Sequence, residues 1–396
     1  MTLDGQLVAE LAAMDDAGTR KSIPVLRSPQ GPVIEVEGRG EVICLCSNDY
    51  LGLAAHPAVV AAAAAGLERY GAGTASVRFI CGKFEPHVQL ERELAEFLCT
   101  PAALTYTSCW NANAALLDAL CDVPAAIFSD RLNHASIIDG MRLARPAHKA
   151  VFDHSDVDDL RRTLQEAPAV ERRLILTDGV FSMEGDLARM PELAELAAEY
   201  EATLIVDDSH GIGVVGESGR GVLERFGLLG RDDIVLTGTL GKALGGAAGG
   251  FVAGSSALCE VLEQRSRAQL FSNGLPPSVA CGATAAIGVL RDDPSRLRRL
   301  HENVAYLRAG IAKTGLVPLE GESAIVPIIV GATSDAIAAS EMLLEHRVYV
   351  TGFGYPVVPE GTARIRIQLS AALEAAQIDR ASEAVGAVGR ELGLTG

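Results

Sequence analysis

Lys242 stands inside Thr237-Gly238-Thr239-Leu240-Gly241-Lys242-Ala243-Leu244-Gly245-Gly246, directly after the apolar run Ile234–Leu236. Packing gives little reason for a lysine in a glycine-rich loop. The glycines let backbone approach a bulky ligand, and a partly buried lysine can lose its proton and become nucleophilic. A flexible surface loop is the bland alternative. A phosphate-cradling Walker loop is the other competitor. It fails because Leu236 stands where that pattern needs Gly, and Ala243 where it needs Ser or Thr.

Asp207-Asp208-Ser209-His210 follows the apolar run Leu204–Val206. A carboxylate at the end of a buried strand can hold a cation where the attraction is strongest, or it can cap a helix. Thr107-Ser108-Cys109-Trp110-Asn111 follows Ala103–Tyr106 and leads into a helix whose amides could grip a phosphate. Trp110, the single tryptophan, suits a core or a ligand contact equally. Asn133-His134 follows Ala126–Ser129, where His134 reads as a cap or as a site group. Asp178-Gly179-Val180-Phe181-Ser182 follows Leu174–Thr177 and offers a hydroxyl. One decoy is present. Gly211-Ile212-Gly213-Val214-Val215-Gly216 matches a dinucleotide fingerprint, but four polar residues separate it from the strand and no apolar helix start follows.

These clusters need a scaffold that brings them to one edge. From about Ala102 to Gly254, the apolar runs above, with Gly250–Ala253, alternate with helical patterns at Asn113–Leu120, Ala135–Leu143, Val157–Glu166 and Met190–Tyr200. Nearly all-apolar strands alternating with helices predict an α/β domain with a mainly parallel sheet covered on both faces. Ligands of such sheets bind beyond the carboxyl ends of the strands, where all five polar clusters fall. Pro277–Leu290 reads as a helix, and from about Arg291 the pattern changes to a smaller α+β domain. Its expected elements are Ile325–Val330, Ala336–His346, Val348–Val350, Ala363–Leu369 and Ile378–Leu392. An amphipathic helix and the strands Val33–Val36 and Val42–Cys46 precede the large domain. The expected division is 1–50, 51–290 and 291–396.

Length and composition agree with this architecture. The chain has 396 residues, 48% hydrophobic and 21% charged, which is ordinary globular composition and excludes a disordered or collagen-like protein. With 34 basic and 51 acidic residues, the net charge of −17 disfavours nucleic acid and anionic membranes as partners. The longest apolar run, Ala58–Ala65, is too short to span a bilayer. No basic-then-apolar leader opens the chain, so a cytoplasmic protein is expected. Eight cysteines lack C-x-x-C spacing, and most of them read as buried small hydrophobes in a reducing compartment; dispersed histidines give no metal site.

Taken together, the Asp-x-x-His and the Thr-x-x-Lys in its glycine-rich loop resemble the α-oxoamine synthase family of fold-type I pyridoxal-phosphate enzymes (aspartate-aminotransferase-like). The similarity runs from about Cys46 to Ala372. It is carried further by Ala75–Gly82, Leu132–Gly140, Arg265–Arg267 with Leu270–Asn273, and Tyr349–Phe353 continuing to Tyr355–Pro359. Within the family these stretches resemble the subgroup that joins glycine to acetyl-coenzyme A, giving 2-amino-3-oxobutyrate in threonine and glycine metabolism. Relatives that release carbon dioxide are the alternative. A nicotinamide oxidoreductase using Gly211–Gly216 and a non-catalytic scaffold are more remote ones.

The resemblance implies pyridoxal 5'-phosphate as cofactor, with Lys242 bonded to its aldehyde and Asp207 paired with its ring nitrogen. It implies His134 stacked on the ring, and His210 and Ser182 as donors near the phenolic oxygen. Cys109 and Trp110 amides with Thr239 correspond to phosphate contacts, joined by Ser272 and Asn273 from a neighbouring subunit, hence a homodimer with shared sites. In Ala363–Leu369 the period of two puts Arg364 and Arg366 on one polar face, and either could hold a carboxylate bidentately. The resemblance selects Arg366, and Asn48 matches an asparagine lining the same pocket.

Overall fold

The computed structural model describes residues 1–394. The chain clusters into two compact units, one of residues 48–182 with 186–297, the other of residues 1–47 with 183–185 and 298 onward. Thr395 and Gly396, the end of the expected 291–396 domain, lie outside the described residues.

The larger unit is built on a seven-stranded sheet in the order Ala102–Tyr106, Gly250–Gly254, Ile234–Thr239, Thr203–Asp207, Arg172–Asp178, Ala125–Asp130, His148–Phe152. Only Gly250–Gly254 runs antiparallel to its neighbours. The other six strands point the same way, as expected for a mainly parallel sheet. The central strands are buried along almost their whole length, which is why they read as continuous apolar runs. His148–Phe152 escaped the sequence reading because it is the edge strand. Its side chains alternate between half-buried and exposed until the buried Phe152, so it carries no such run.

The expected helices follow strands of this sheet at Cys109–Leu120, Ala135–Ala144, Val157–Glu166 and Met190–Glu199, the third of them after the unforeseen edge strand His148–Phe152. Asp178 lies directly opposite Asp207, so these two strand ends are flush at the carboxyl edge, while the next strand, with Thr237 opposite Asp207, runs two residues further to Thr239. Gly250 is required where the helix starting at Cys109 crosses the sheet. A Cβ there would sit 2.2 Å from the Cys109 amide nitrogen.

The smaller unit holds two three-stranded sheets. One joins Val33–Val36, Gly40–Cys44 and Val348–Tyr349; the other joins Ile325–Gly331, Ala363–Gln368 and Thr351–Phe353. One expectation needs correction, and one gains detail. Arg364 and Arg366 alternate along one strand as expected, and both are buried, 5% and 8% exposed. Arg364 is committed to an ion pair with Glu184 at 2.8 Å and to the Met183 and Thr362 carbonyls at 3.1 Å. Arg366 lies over the Phe353 ring at 4.5 Å and donates to Gln368 Oε1 at 3.2 Å. The cysteines are less hidden than expected. Cys44 and Cys259 are buried, whereas Cys81, ending a one-turn helix, and Cys99, a left-handed helix cap, are exposed. Among the described residues, no helix is long and apolar enough to cross a membrane.

Candidate active site

Asp207 closes its strand with a buried carboxylate, 5% exposed, and both oxygens accept hydrogen bonds. Asn113 Nδ2 donates to Oδ2 at 2.7 Å, and the Ser209 amide donates to Oδ1 at 3.1 Å. The Cys109 thiol lies 3.7 and 3.8 Å from the two oxygens and itself accepts from Ser209 Oγ at 3.4 Å. All of these partners are neutral. Burial first, then the charge of Asp207, pushes the Cys109 thiol well up, so it stays a weak donor. The same two causes in the same order push the buried Asp178 up.

His134 caps the helix Ala135–Ala144, its Nδ1 accepting from the Ser136 amide at 3.2 Å. Its own amide donates to Asp178 Oδ1 at 3.2 Å, tying it to the neighbouring strand end. The cap and the site reading therefore hold together. Trp110 is 43% exposed and stands edge-on to the His134 ring, with centroids 6.0 Å apart, so it is no core residue. His134 is open to solvent yet closely surrounded by protein, as a group on a cleft floor is. Burial lowers its pKa foremost, Asp207 opposes this, and Lys242 adds to it.

The Lys242 loop leaves the strand Ile234–Thr239 beside Asp207, and Lys242 is half-buried. Its positive charge is felt at Cys109, His134, Asp178 and Asp208, which places the amine among the strand-end groups. Thr239 Oγ1 donates to the Gly249 carbonyl at 3.1 Å and accepts from the Gly241 amide at 3.1 Å, closing the loop on itself. On another flank, the Tyr50 hydroxyl lies 2.7 Å from His210 Nδ1 and donates to Asn48 Oδ1 at 3.3 Å. Ser182 is half-buried in the loop after Asp178. Ser272 caps the short helix Arg267–Phe271, and Asn273 beside it is exposed. Arg366 belongs to the other unit.

Four residues of this arrangement lay outside the sequence reading. Asn113 is a polar side chain on the buried face of an apolar helix, one turn after Cys109, and that misfit was its signal. Ser136 and Tyr50 act through residues that were identified. The fourth, His154, is clamped: Nδ1 lies 3.0 Å from Asp130 Oδ1, Nε2 lies 3.0 Å from Asp186 Oδ2, and the ring meets Phe181 edge-on at 4.4 Å. The decoy glycines have a steric role. At Gly211 a Cβ would fall 2.0 Å from the fully buried Asp208 Oδ1, and the next helix, Val222–Arg225, has only four residues.

Burial opposes the charged form of His154, but the hydrogen bonds and charges of Asp130 and Asp186 outweigh it and push the ring up to about 10. A folded-state pKa above the unfolded value of about 6.5 gives stability that is complete below the latter and lost as pH rises through the former. His154→Ala is expected to cost about 2–4 kcal/mol at pH 7, below the top of the buried-pair range because Asp186 is partly exposed. Chemical denaturation of both proteins checks it. The gap must shrink between pH 7 and 10, and a gap that is absent or constant refutes the charged clamp.

A family model described as aminotransferase class I and II matches residues 40–385. The chain is 43% identical to 2-amino-3-ketobutyrate coenzyme A ligase of Escherichia coli K12, over 98% of both chains. It is also 43% identical to 8-amino-7-oxononanoate synthase 1 of Bacillus velezensis, again over 98% of both. Among solved structures, a serine palmitoyltransferase from S. paucimobilis with a bound PLP–myriocin aldimine superposes with a TM-score of 0.93 at 30% identity, covering 100% of both chains.

Proposed function

The chain belongs to the class I and II aminotransferase family of pyridoxal-phosphate enzymes, in its α-oxoamine synthase branch, and from that premise we propose that it joins glycine to acetyl-coenzyme A, releasing coenzyme A and 2-amino-3-oxobutyrate. One observation carries the reading. A buried carboxylate whose hydrogen-bond donors are neutral, Asp207, ends its strand at the same sheet edge from which the chain runs on to Lys242 and to His134. Such a carboxylate fits the protonated ring nitrogen of pyridoxal phosphate, which would supply the missing positive charge.

Bound pyridoxal phosphate supplies an electron-withdrawing ring that stabilises the carbanion left at the glycine Cα. The chain's residues do the rest. Lys242 would hold the aldehyde, and its amine is the base that would take a proton from the glycine Cα. Asp207 keeps the ring nitrogen protonated, while His134 covers the ring and donates toward the acyl oxygen. His210 and Ser182 donate near the phenolic oxygen, with Tyr50 orienting His210. Cys109 and Trp110 amides at the helix start and the Thr239 hydroxyl hold the phosphate. Asn48 and Arg366 are the candidates for the glycine carboxylate, while Arg364 is paired to Glu184.

Ser272 and Asn273 would reach the phosphate of a second copy. Exposed Phe79, Ile80 and Phe271 on two adjoining short helices support a homodimer that covers them. The absence of a disulfide among the eight cysteines supports a cytoplasmic setting.

The equal identity to an 8-amino-7-oxononanoate synthase favours a second reading, decarboxylating condensation of another amino acid. Mass spectrometry of products from glycine, alanine and serine with a panel of acyl-coenzyme A donors separates the two. Glycine with acetyl-coenzyme A is expected to give the largest yield, and a product that still carries the glycine carboxylate when its ketone is reduced at once, since the β-keto acid left standing loses carbon dioxide by itself. Carbon dioxide release with alanine or serine as the preferred amine would refute the acetyltransferase reading.

A further inference from the structure

We propose that Ser136 and Asn113 are positioning residues that lock His134 as a neutral imidazole protonated on Nε2, so that it meets substrate as a hydrogen-bond donor at that atom and not as an imidazolium. The lock is legible in which groups can only donate. The Ser136 amide is a pure donor, and it reaches His134 Nδ1 at 3.2 Å. Nδ1 must therefore carry a lone pair. Ser136 Oγ lies 2.8 Å from the same nitrogen.

That hydroxyl is itself oriented. Asn113 Nδ2 donates to Ser136 Oγ at 2.9 Å and to Asp207 Oδ2 at 2.7 Å. A carboxylate oxygen accepts only, which identifies the Asn113 atom facing it as nitrogen and fixes the amide orientation. With its oxygen receiving the amide hydrogen, Ser136 turns its own hydrogen to Nδ1. Two donors now point at one lone pair. A proton on Nδ1 would face both of them and lose both bonds.

Nothing at this triad is loose. Ser136 is fully buried and Asn113 is 2% exposed, so neither partner exchanges its bonds for water. Nε2 of His134 makes no hydrogen bond among the described residues, which leaves its hydrogen for a ligand. The charged and titratable groups facing the ring are Asp207, Lys242 and Asp178, whose carboxylate takes the His134 amide; the Trp110 edge completes the surroundings. His154 shows the opposite choice nearby, with a carboxylate at each ring nitrogen.

The catalytic consequence rests on the function proposed above, but the tautomer does not, and the test separates them. Nitrogen-15 NMR of the histidine-labelled full-length protein, with the His134 signals assigned by their loss in His134→Asn, is expected to show unprotonated Nδ1 and protonated Nε2 at neutral pH. In Ser136→Ala the titration midpoint of that ring should rise, since a bond to the neutral form is lost. Its kcat should fall about tenfold with KM for glycine changed less than about twofold. Ser136→Thr, which keeps the hydroxyl, should restore the midpoint. A protonated Nδ1 in the unmodified protein, or a Ser136→Ala ring that titrates unchanged, overturns the proposal whatever reaction the enzyme catalyses. A locked ring in a protein that makes a different product overturns the acetyltransferase reading alone.

Discussion

A Lys242→Ala protein is expected to fold normally, to lose turnover by on the order of 10⁴-fold or more, and to release its cofactor after borohydride treatment and denaturation. Two roles vanish with one amine. In the proposed reaction Lys242 is both the nucleophile that anchors the aldehyde and the base that moves the Cα proton, and no other lysine acts on the strand-end groups Cys109, His134, Asp178 and Asp208. The fold has little reason to suffer. Backbone and hydroxyl bonds of Thr239, Leu240, Gly241 and Gly249 hold the two feet of the loop whatever side chain stands at position 242. Steady-state assay, mass spectrometry of the reduced protein and a thermal melt read the three parts. Activity within tenfold of the unmodified enzyme would sink the assignment of Lys242 and the mechanism with it.

Asp207→Asn should cost about 10³-fold in kcat/KM, roughly 4 kcal/mol of transition-state stabilisation, with visibly weaker cofactor retention on gel filtration. The substitution keeps the shape and fails twice. A neutral amide cannot hold a proton on the ring nitrogen, so the ring draws electrons less strongly. The surroundings also demand an acceptor at both ends, because Asn113 donates to one oxygen and the Ser209 amide to the other. Whichever way the new amide turns, its own hydrogens meet a donor. Asn113→Ala tests the second half separately. If Asp207→Asn retains activity within about threefold, electron withdrawal through this carboxylate is not what drives the reaction.

Much of this site could be read from residue order because the chemistry is concentrated at strand ends. In a parallel sheet every strand delivers its next residues to the same edge, so Asp207, Lys242, His134, Ser182 and Cys109 could be grouped from apolar runs alone. What stayed hidden depends on side-chain packing across the sequence. Asn113 and Asp207 are 94 residues apart and meet through a helix face, and no local pattern encodes that meeting. The burial of Arg364 and Arg366 escaped for a related reason. A period of two shows that two side chains share a face, but whether that face meets water depends on strands contributed from elsewhere. His148–Phe152 illustrates the converse, since an edge strand carries half the apolar signal of a central one.

The one antiparallel strand sets how the lysine moves. Because Gly250–Gly254 returns beside the strand that delivers Lys242, the intervening backbone is stapled at both feet, Leu240 donating to the Gly249 carbonyl at 3.0 Å. In the proposed reaction the amine would have to travel between the cofactor aldehyde and the proton it removes. With the main chain pinned, that excursion falls to the four methylenes, which swivel like a crane arm on a fixed mast. Each catalytic cycle can then proceed without refolding the loop, and the ordering of the base is settled once, when the sheet forms.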